Sequence, residues 1–145
     1  MTRISKQVNV QYSAGQMYSL VNDIEAYPDF LPWCTAANIL QRDTYLVTAS
    51  VSLSVGKIRQ TFTTSNIMMP DSSISMNLVK GPFKELTGNW KFTENSDGGC
   101  LVNLDMNFEF KNKLIKHTLG KAFYKITDSM VDAFIERAWV VYGGK

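Results

Sequence analysis

Residues 113–142 read KLIKHTLGKAFYKITDSMVDAFIERAWVVY. Apolar side chains recur at Ile115, Leu119, Phe123, Ile126, Met130, Phe134, Ala138 and Val141, in steps of three and four. Lys113, His117, Lys121, Lys125, Asp128, Asp132 and Glu136 trace the opposite side. That period predicts one amphipathic helix of about 30 residues, roughly 45 Å long if straight. Gly120 is a weak point within it, and Gly143 and Gly144 end it. A helix with so long an apolar stripe must lay it on a broad partner surface.

Upstream, the period changes to two. Tyr45, Val47, Ala49, Val51, Leu53 and Val55 form one face of a strand that stops at Gly56. Ile58, Gln60, Phe62 and Thr64 oppose Arg59, Thr61 and Thr63, and Ile74, Met76 and Leu78 oppose Ser73, Ser75 and Asn77. Leu86, Gly88, Trp90 and Phe92 alternate with Thr87, Asn89 and Lys91. After the turn NSDGG, Val102, Leu104, Met106, Phe108 and Phe110 alternate with Asn103, Asp105, Asn107 and Glu109. Clean alternation repeated in this way predicts an antiparallel sheet with one wet and one buried face. Ahead of it, residues 4–12 alternate weakly, and Ser13 is placed to cap a helix carrying Met17, Leu20, Val21 and Ile24. The segment EAYPDFLPWCTAA (25–37) then crowds Tyr27, Phe30, Leu31 and Trp33 around two prolines, which suits a short second helical turn.

The predicted fold class is therefore α+β: a curved antiparallel sheet of about six to seven strands around one long C-terminal helix, with two short helices after the first strand. A straight rod and a curved sheet do not match in shape, so this helix-grip arrangement can leave an apolar cavity between them. At 145 residues the chain is expected to form a single domain, residues 1–145. A chain of this size buries roughly 70% of its unfolded surface.

Composition narrows the chemistry. A net charge of +2 does not argue for nucleic acid, and nothing points to DNA. The charge is uneven, however: residues 1–110 hold eight Lys/Arg against ten Asp/Glu, and residues 111–145 hold seven against three. Cys34 and Cys100 are isolated, which speaks against a disulfide framework and a thiolate metal site and suits a reducing compartment such as the cytosol. There is no P-loop, GxGxxG or metal-ligand spacing. His117 falls on the polar side of the long helix, Asp105 and Glu109 fall on the wet face of their strand, and Cys34 reads as a small buried hydrophobe without a basic partner. No catalytic constellation is legible, so a binding protein rather than an enzyme is expected, with cyclase activity as the weaker alternative.

The segments YPDFLPWC (27–34), GPFKELTGNWKF (81–92) and MVDAFIERAWVVYG (130–143) resemble the coenzyme Q-binding protein family of the START-like superfamily. Its bacterial members are also described as ribosome association toxins and as oligoketide cyclase or lipid transport proteins. The likeness covers essentially the whole chain. It implies a START-like helix-grip fold whose cavity holds ubiquinone or a related isoprenoid or polyketide lipid, with no other cofactor and no metal, and a role as a lipid chaperone or carrier supporting respiration. The alternative it implies is a toxin-like translation inhibitor that binds the large ribosomal subunit and blocks subunit association. Without a transit peptide ahead of the first strand, the expectation is a bacterial cytoplasmic member, with peripheral contact at the inner face of the membrane.

The inward faces supply the expected cavity residues: Val47, Ala49, Val51, Gln60, Phe62, Thr64, Met76, Leu78, Trp90, Leu104, Met106 and Phe108 from the sheet, with Leu119, Phe123, Ile126 and Met130 from the helix and Trp33 from the corner. Ala49 and Gly88 leave volume among bulkier neighbours, methionines adapt to flexible ligands, and Gln60 and Thr64 offer polar contacts to a head group. Phe30 and Leu31 are expected at the cavity rim. Phe83, between Lys80 and Lys84, reads either as a membrane-touching entrance or as a turn packed on the core. Lys113, Lys116 and Lys121 form a basic surface that would meet anionic headgroups or ribosomal RNA.

Overall fold

The structure, a computed structural model, describes residues 1–144. Seven strands form one sheet: β1 (Thr2–Val10), β2 (Cys34–Arg42), β3 (Leu46–Val55), β4 (Ile58–Met69), β5 (Ser73–Lys80), β6 (Phe83–Glu94) and β7 (Cys100–Phe110). Their spatial order is β1-β7-β6-β5-β4-β3-β2, and every pair is antiparallel. The chain thus walks across the sheet from β2 to β7, and β1 closes on β7. The β3–β4 hairpin turns at Gly56 and Lys57, with Val55 opposite Ile58 and Gly56 at φ 60°. A two-residue turn needs that left-handed geometry to match the twist of its strands. Register shifts at Thr63/Thr64, at Phe83/Glu85 and twice in β2 bend the strands.

Three α-helices cover the inner face: α1 (Ala14–Asn22), α2 (Lys113–Asp128) and α3 (Met130–Tyr142). Helix α1 starts at a capping box in which the Ser13 hydroxyl accepts from the Gln16 N–H while the Gln16 side chain accepts from the Ser13 N–H. A 3-10 turn over Ile24–Asp29 follows, the short second helical turn of the sequence.

Two expectations need correction here. The long C-terminal helix is two helices, and the interruption is at Ser129 rather than Gly120. Around it, side chains bond back to the backbone: Thr127 donates to the carbonyls of Phe123 and Tyr124, and Ser129 donates to that of Ile126. Such back-bonding bends helices. The break turns the stripe, so Val131 is buried and Val141 is exposed. Second, the helical corner expected over 25–37 ends at Asp29 and gives way at Cys34 to strand β2, and Tyr45 lies outside β3 and is exposed.

Long-range bonds anchor the ends of the helical layer. Tyr142 Oη donates to the Gln16 carbonyl at 2.9 Å, Tyr12 Oη donates to the Gly143 carbonyl at 2.8 Å, and Lys6 pairs with Asp128 at 2.9 Å. One contiguous hydrophobic cluster fills the space between the layers.

Candidate functional site: an apolar cavity between sheet and helices

A cavity opens inside that cluster. The sheet contributes Ala49 and Val51 from β3, Phe62, Thr64 and Asn66 from β4, Met76 from β5, Leu86, Gly88 and Trp90 from β6, and Leu104 and Met106 from β7. The helices contribute Phe123, Ile126, Thr127, Met130 and Phe134, and the proline-rich corner contributes Ile24, Tyr27 and Trp33. The space open to the centre of a water-sized sphere is ≈ 80 Å³. That is several times the ~10–15 Å³ needed by one buried water.

Two aromatic groups bound the cavity. On one side Phe83 stands 4.8 Å from Phe123 and 5.2 Å from Phe110 between ring centroids, with Phe62 and Phe108 edge-on to the same cluster. On the other, the Phe134 ring meets Trp90, Tyr27 and Phe30 at 5.3, 5.4 and 5.2 Å, all edge-to-face. The Arg137 guanidinium caps the Phe30 ring at 4.9 Å. Between these groups the wall is softer. Met76 and Met106 flank Gly88 in register, and a Cβ at Gly88 would overlap Met76 Cε and lie 2.6 Å from Met106 Sδ. The volume vacated at Gly88 is thus occupied by two thioether chains, which repack more readily than branched residues.

The polar groups of the wall differ in how they are satisfied. Tyr27 Oη donates to the Val21 carbonyl, and burial pushes its phenol well above the ordinary range. The Thr127 hydroxyl is committed to two carbonyls of its own helix. Asn66, 4% exposed, has a side-chain oxygen without a hydrogen-bond partner among the described residues.

Of the residues expected to line a cavity, Trp33, Ala49, Val51, Phe62, Thr64, Met76, Trp90, Leu104, Met106, Phe123, Ile126 and Met130 do face it. Five do not. Phe108 and Leu119 are packed as core, with the Phe108 ring 4.9 Å from that of Phe123, which occupies the cavity side. Val47 is also core, while Gln60 and Leu78 are half-buried and off the wall. Gln60 pairs with Leu53 toward the β3–β4 turn, beyond the reach of the cavity.

The rim residues are corrected as well. Leu31 is fully buried, drawn in by the turn in which its N–H donates to the Tyr27 carbonyl at 2.9 Å. Phe83 is 4% exposed inside the aromatic cluster, so the packed-turn alternative holds and the membrane-touching one falls. Phe30 is half-buried against Phe134 and does not line the cavity.

Several wall residues were absent from the expected set. Asn66 merely continues the inward series Phe62, Thr64 by one step, so the alternation would have found it had β4 been read through to Met69. Phe134 and Ile24 lay on helical stripes already recognised, Leu86 and Gly88 on a strand face, and Tyr27 in the corner segment. Thr127 lies four residues after Phe123 and so on the inward side of α2, but a hydroxyl residue does not register in an apolar stripe.

Reactive groups do not converge here. The wall includes no Asp, Glu, His, Lys, Arg or Cys among the described residues. Cys34 and Cys100 are buried, and burial raises both thiols, Cys100 to about 11. His117 is exposed. No cluster of His, Cys, Asp and Glu among the described residues could hold a metal ion.

The lysines expected at the surface are exposed, away from the cavity. Lys84, Lys111, Lys113 and Lys116 rim a shallow groove at the start of α2, where the Asn112 side chain accepts from the Ile115 N–H at 2.9 Å. Glu109 is its one carboxylate among the described residues, 3.8 Å from Lys84. Lys80 and Lys121 lie outside this groove. No helix among the described residues is long and apolar enough to cross a membrane.

Residues 10–135 match the family described as polyketide cyclase / dehydrase and lipid transport. Across all 145 residues the chain is 47% identical to the ribosome association toxin RatA of Escherichia coli (strain K12), covering 92% of that protein. It is 26% identical over 91% of its length to the mitochondrial coenzyme Q-binding protein COQ10 homolog B of Xenopus laevis, of which it spans 56%. Among solved structures, the Zhui aromatase/cyclase of a Streptomyces species superposes with a TM-score of 0.85 over 99% of both chains at 15% identity, a likeness of fold.

Proposed function

Because the chain belongs to the polyketide cyclase / dehydrase and lipid transport family, we propose that it binds a hydrophobic small molecule in the cavity between sheet and helices. The ligand class is an isoprenoid lipid of the ubiquinone type, and the role is that of a chaperone or carrier supporting respiration. The observation that carries this reading is the wall itself: a predominantly apolar space without an ionisable pair, lined by adaptable methionines. Each isoprenoid methylene taken from water into such a space contributes about 0.8 kcal/mol, and no catalytic group is needed. Space of ≈ 80 Å³ does not hold a long chain; uptake therefore requires Met76, Met106 and Met130 to swing aside. Similarity to a coenzyme Q-binding protein supports the quinone class.

The test is extraction. Protein purified from its own cells is expected to release an organic-soluble quinone, and native mass spectrometry should show the corresponding mass increment. Protein that stays empty after incubation with both a quinone and its hydroquinone would sink this reading.

A second reading is supported by the names of relatives at 41–47% identity and by the basic groove at the start of α2. In it the protein binds the large ribosomal subunit in the cytoplasm and interferes with subunit association. Lysine–phosphate contacts make such binding strongly salt-dependent. Co-sedimentation with the large subunit should weaken steeply as salt rises and fall on combined substitution of Lys84, Lys113 and Lys116 by Glu. Unchanged co-sedimentation would remove this groove as the contact. The same lysines would serve docking on anionic headgroups.

A further inference from the structure

Three buried side-chain oxygens lack a hydrogen-bond partner among the described residues: those of Asn22, Asn66 and Asn103. Only Asn66 lines the cavity. It lies on β4 opposite Val47 on β3 and Met76 on β5, two residues beyond Thr64 on the same inward face. Its neighbours in the sheet are therefore apolar, and the nearby polar groups of the wall are already committed: Thr127 to its helix carbonyls and Tyr27 to the Val21 carbonyl. A buried amide oxygen in this position is expensive unless something brings a donor to it. A water bridging Asn66 and the Thr64 hydroxyl would have only the minimum of two polar partners in an otherwise apolar wall, so a ligand hydroxyl that also buries an apolar body displaces it at little cost.

We propose that Asn66 selects the ligand by a hydroxyl: the cavity prefers an apolar molecule of the phenol, hydroquinone or alcohol class, whose O–H donates to Asn66 Oδ1. The proposal rests on the cavity reading above and sharpens it. A hydroxyl both donates and accepts, so it satisfies the amide whichever way the amide is turned. A carbonyl oxygen only accepts and leaves the amide oxygen orphaned, and an ether brings no donor at all. Within a quinone couple, the reduced form is therefore the one retained. A site built around a hydrogen bond discriminates against analogues that cannot make it far more strongly than an apolar wall discriminates by shape.

The experiment uses the full-length, delipidated protein and three probes: decylhydroquinone, decylbenzoquinone and the dimethyl ether of decylhydroquinone. Affinities are measured by calorimetry under argon. Decylhydroquinone is expected to bind about tenfold or more tightly than either of the others. The Asn66→Leu variant should bring all three to within about twofold, with the ether bound at least as well as before. Equal affinities for the three probes in the wild type would overturn the hydroxyl preference while leaving the cavity reading standing, and so would a tighter quinone. Failure of all three to bind would overturn both. If Asn66→Leu does not fold, the wild-type series alone decides the question.

Discussion

Ala49 is 2% exposed, pairs with Thr64 across β3 and β4, and stands at the cavity wall. Val47, two residues back on the same face, is 1% exposed but does not reach the cavity. The two positions give a contrast of sign. Ala49→Leu adds three carbons, and the ≈ 80 Å³ open beside the residue is space into which they can go. If they fill it, burial contributes about 0.8 kcal/mol per carbon. Rotamer restriction takes back roughly 0.5–1 kcal/mol. The net expectation is a gain of about 1.5 kcal/mol, or about 4–5 °C in Tm for a domain of this size. Val47→Ile adds one carbon where the packing is closed and should lose about 1–3 kcal/mol by overpacking.

Urea and thermal melts of delipidated protein measure both changes. Calorimetry with decylhydroquinone measures the functional side, and Ala49→Leu should abolish binding as it gains stability, the usual conflict between a filled core and an open site. A loss of more than about 1 kcal/mol for Ala49→Leu, similar to that for Val47→Ile, would mean that no usable space exists on β3. The cavity reading would fall with it.

Other expectations follow from single features. Phe83→Ala should cost about 3–5 kcal/mol, because its ring is central to the Phe110–Phe123 cluster; an effect below 1 kcal/mol in a urea melt would return Phe83 to the surface. Ser13→Ala removes one half of the α1 capping box and should cost about 1 kcal/mol, read from the same melts. The Cys34 and Cys100 thiols, raised by burial, should react with Ellman's reagent far more slowly in folded than in urea-unfolded protein at pH 8; equal rates would contradict their burial. Since the folded pKa of Cys100, about 11, exceeds that of the unfolded thiol, its contribution is fully present below the unfolded value and is lost as pH rises toward 11. Cys100→Ala should therefore flatten the alkaline fall of the urea midpoint, and an unchanged slope would refute that assignment.

Much of the architecture was readable because it depends on local period. Alternation marked β3, β4, β6 and β7 and told which side of each faces inward. The three-and-four stripe of residues 113–142 identified the covering helix. Where reading failed, a local irregularity had shifted the period. Strand β2 carries two register shifts against β3, so its residues do not alternate cleanly in exposure and its strand character is hidden. The break at Ser129 was invisible for the opposite reason: steps of three and four absorb a change in helix direction without an obvious gap in the stripe.

The sequence by itself determined the α+β class, the inward faces and the apolar character of what lies between them, because side-chain direction follows from two short periods set by the backbone. Only the tertiary structure decided which inward residues touch empty space and which touch one another. Phe108 and Phe123 look alike in sequence, yet one ring lies behind the other. Leu31 and Phe83 sit beside prolines and lysines, yet both are buried. The alternation placed Thr64 inward and, one step further, Asn66, but whether an inward amide finds a partner depends on neighbours from β3 and β5 that are distant in the chain. Cavities arise where the packing of several elements fails to close, and that is a property of three-dimensional shape, which no periodicity along one element encodes.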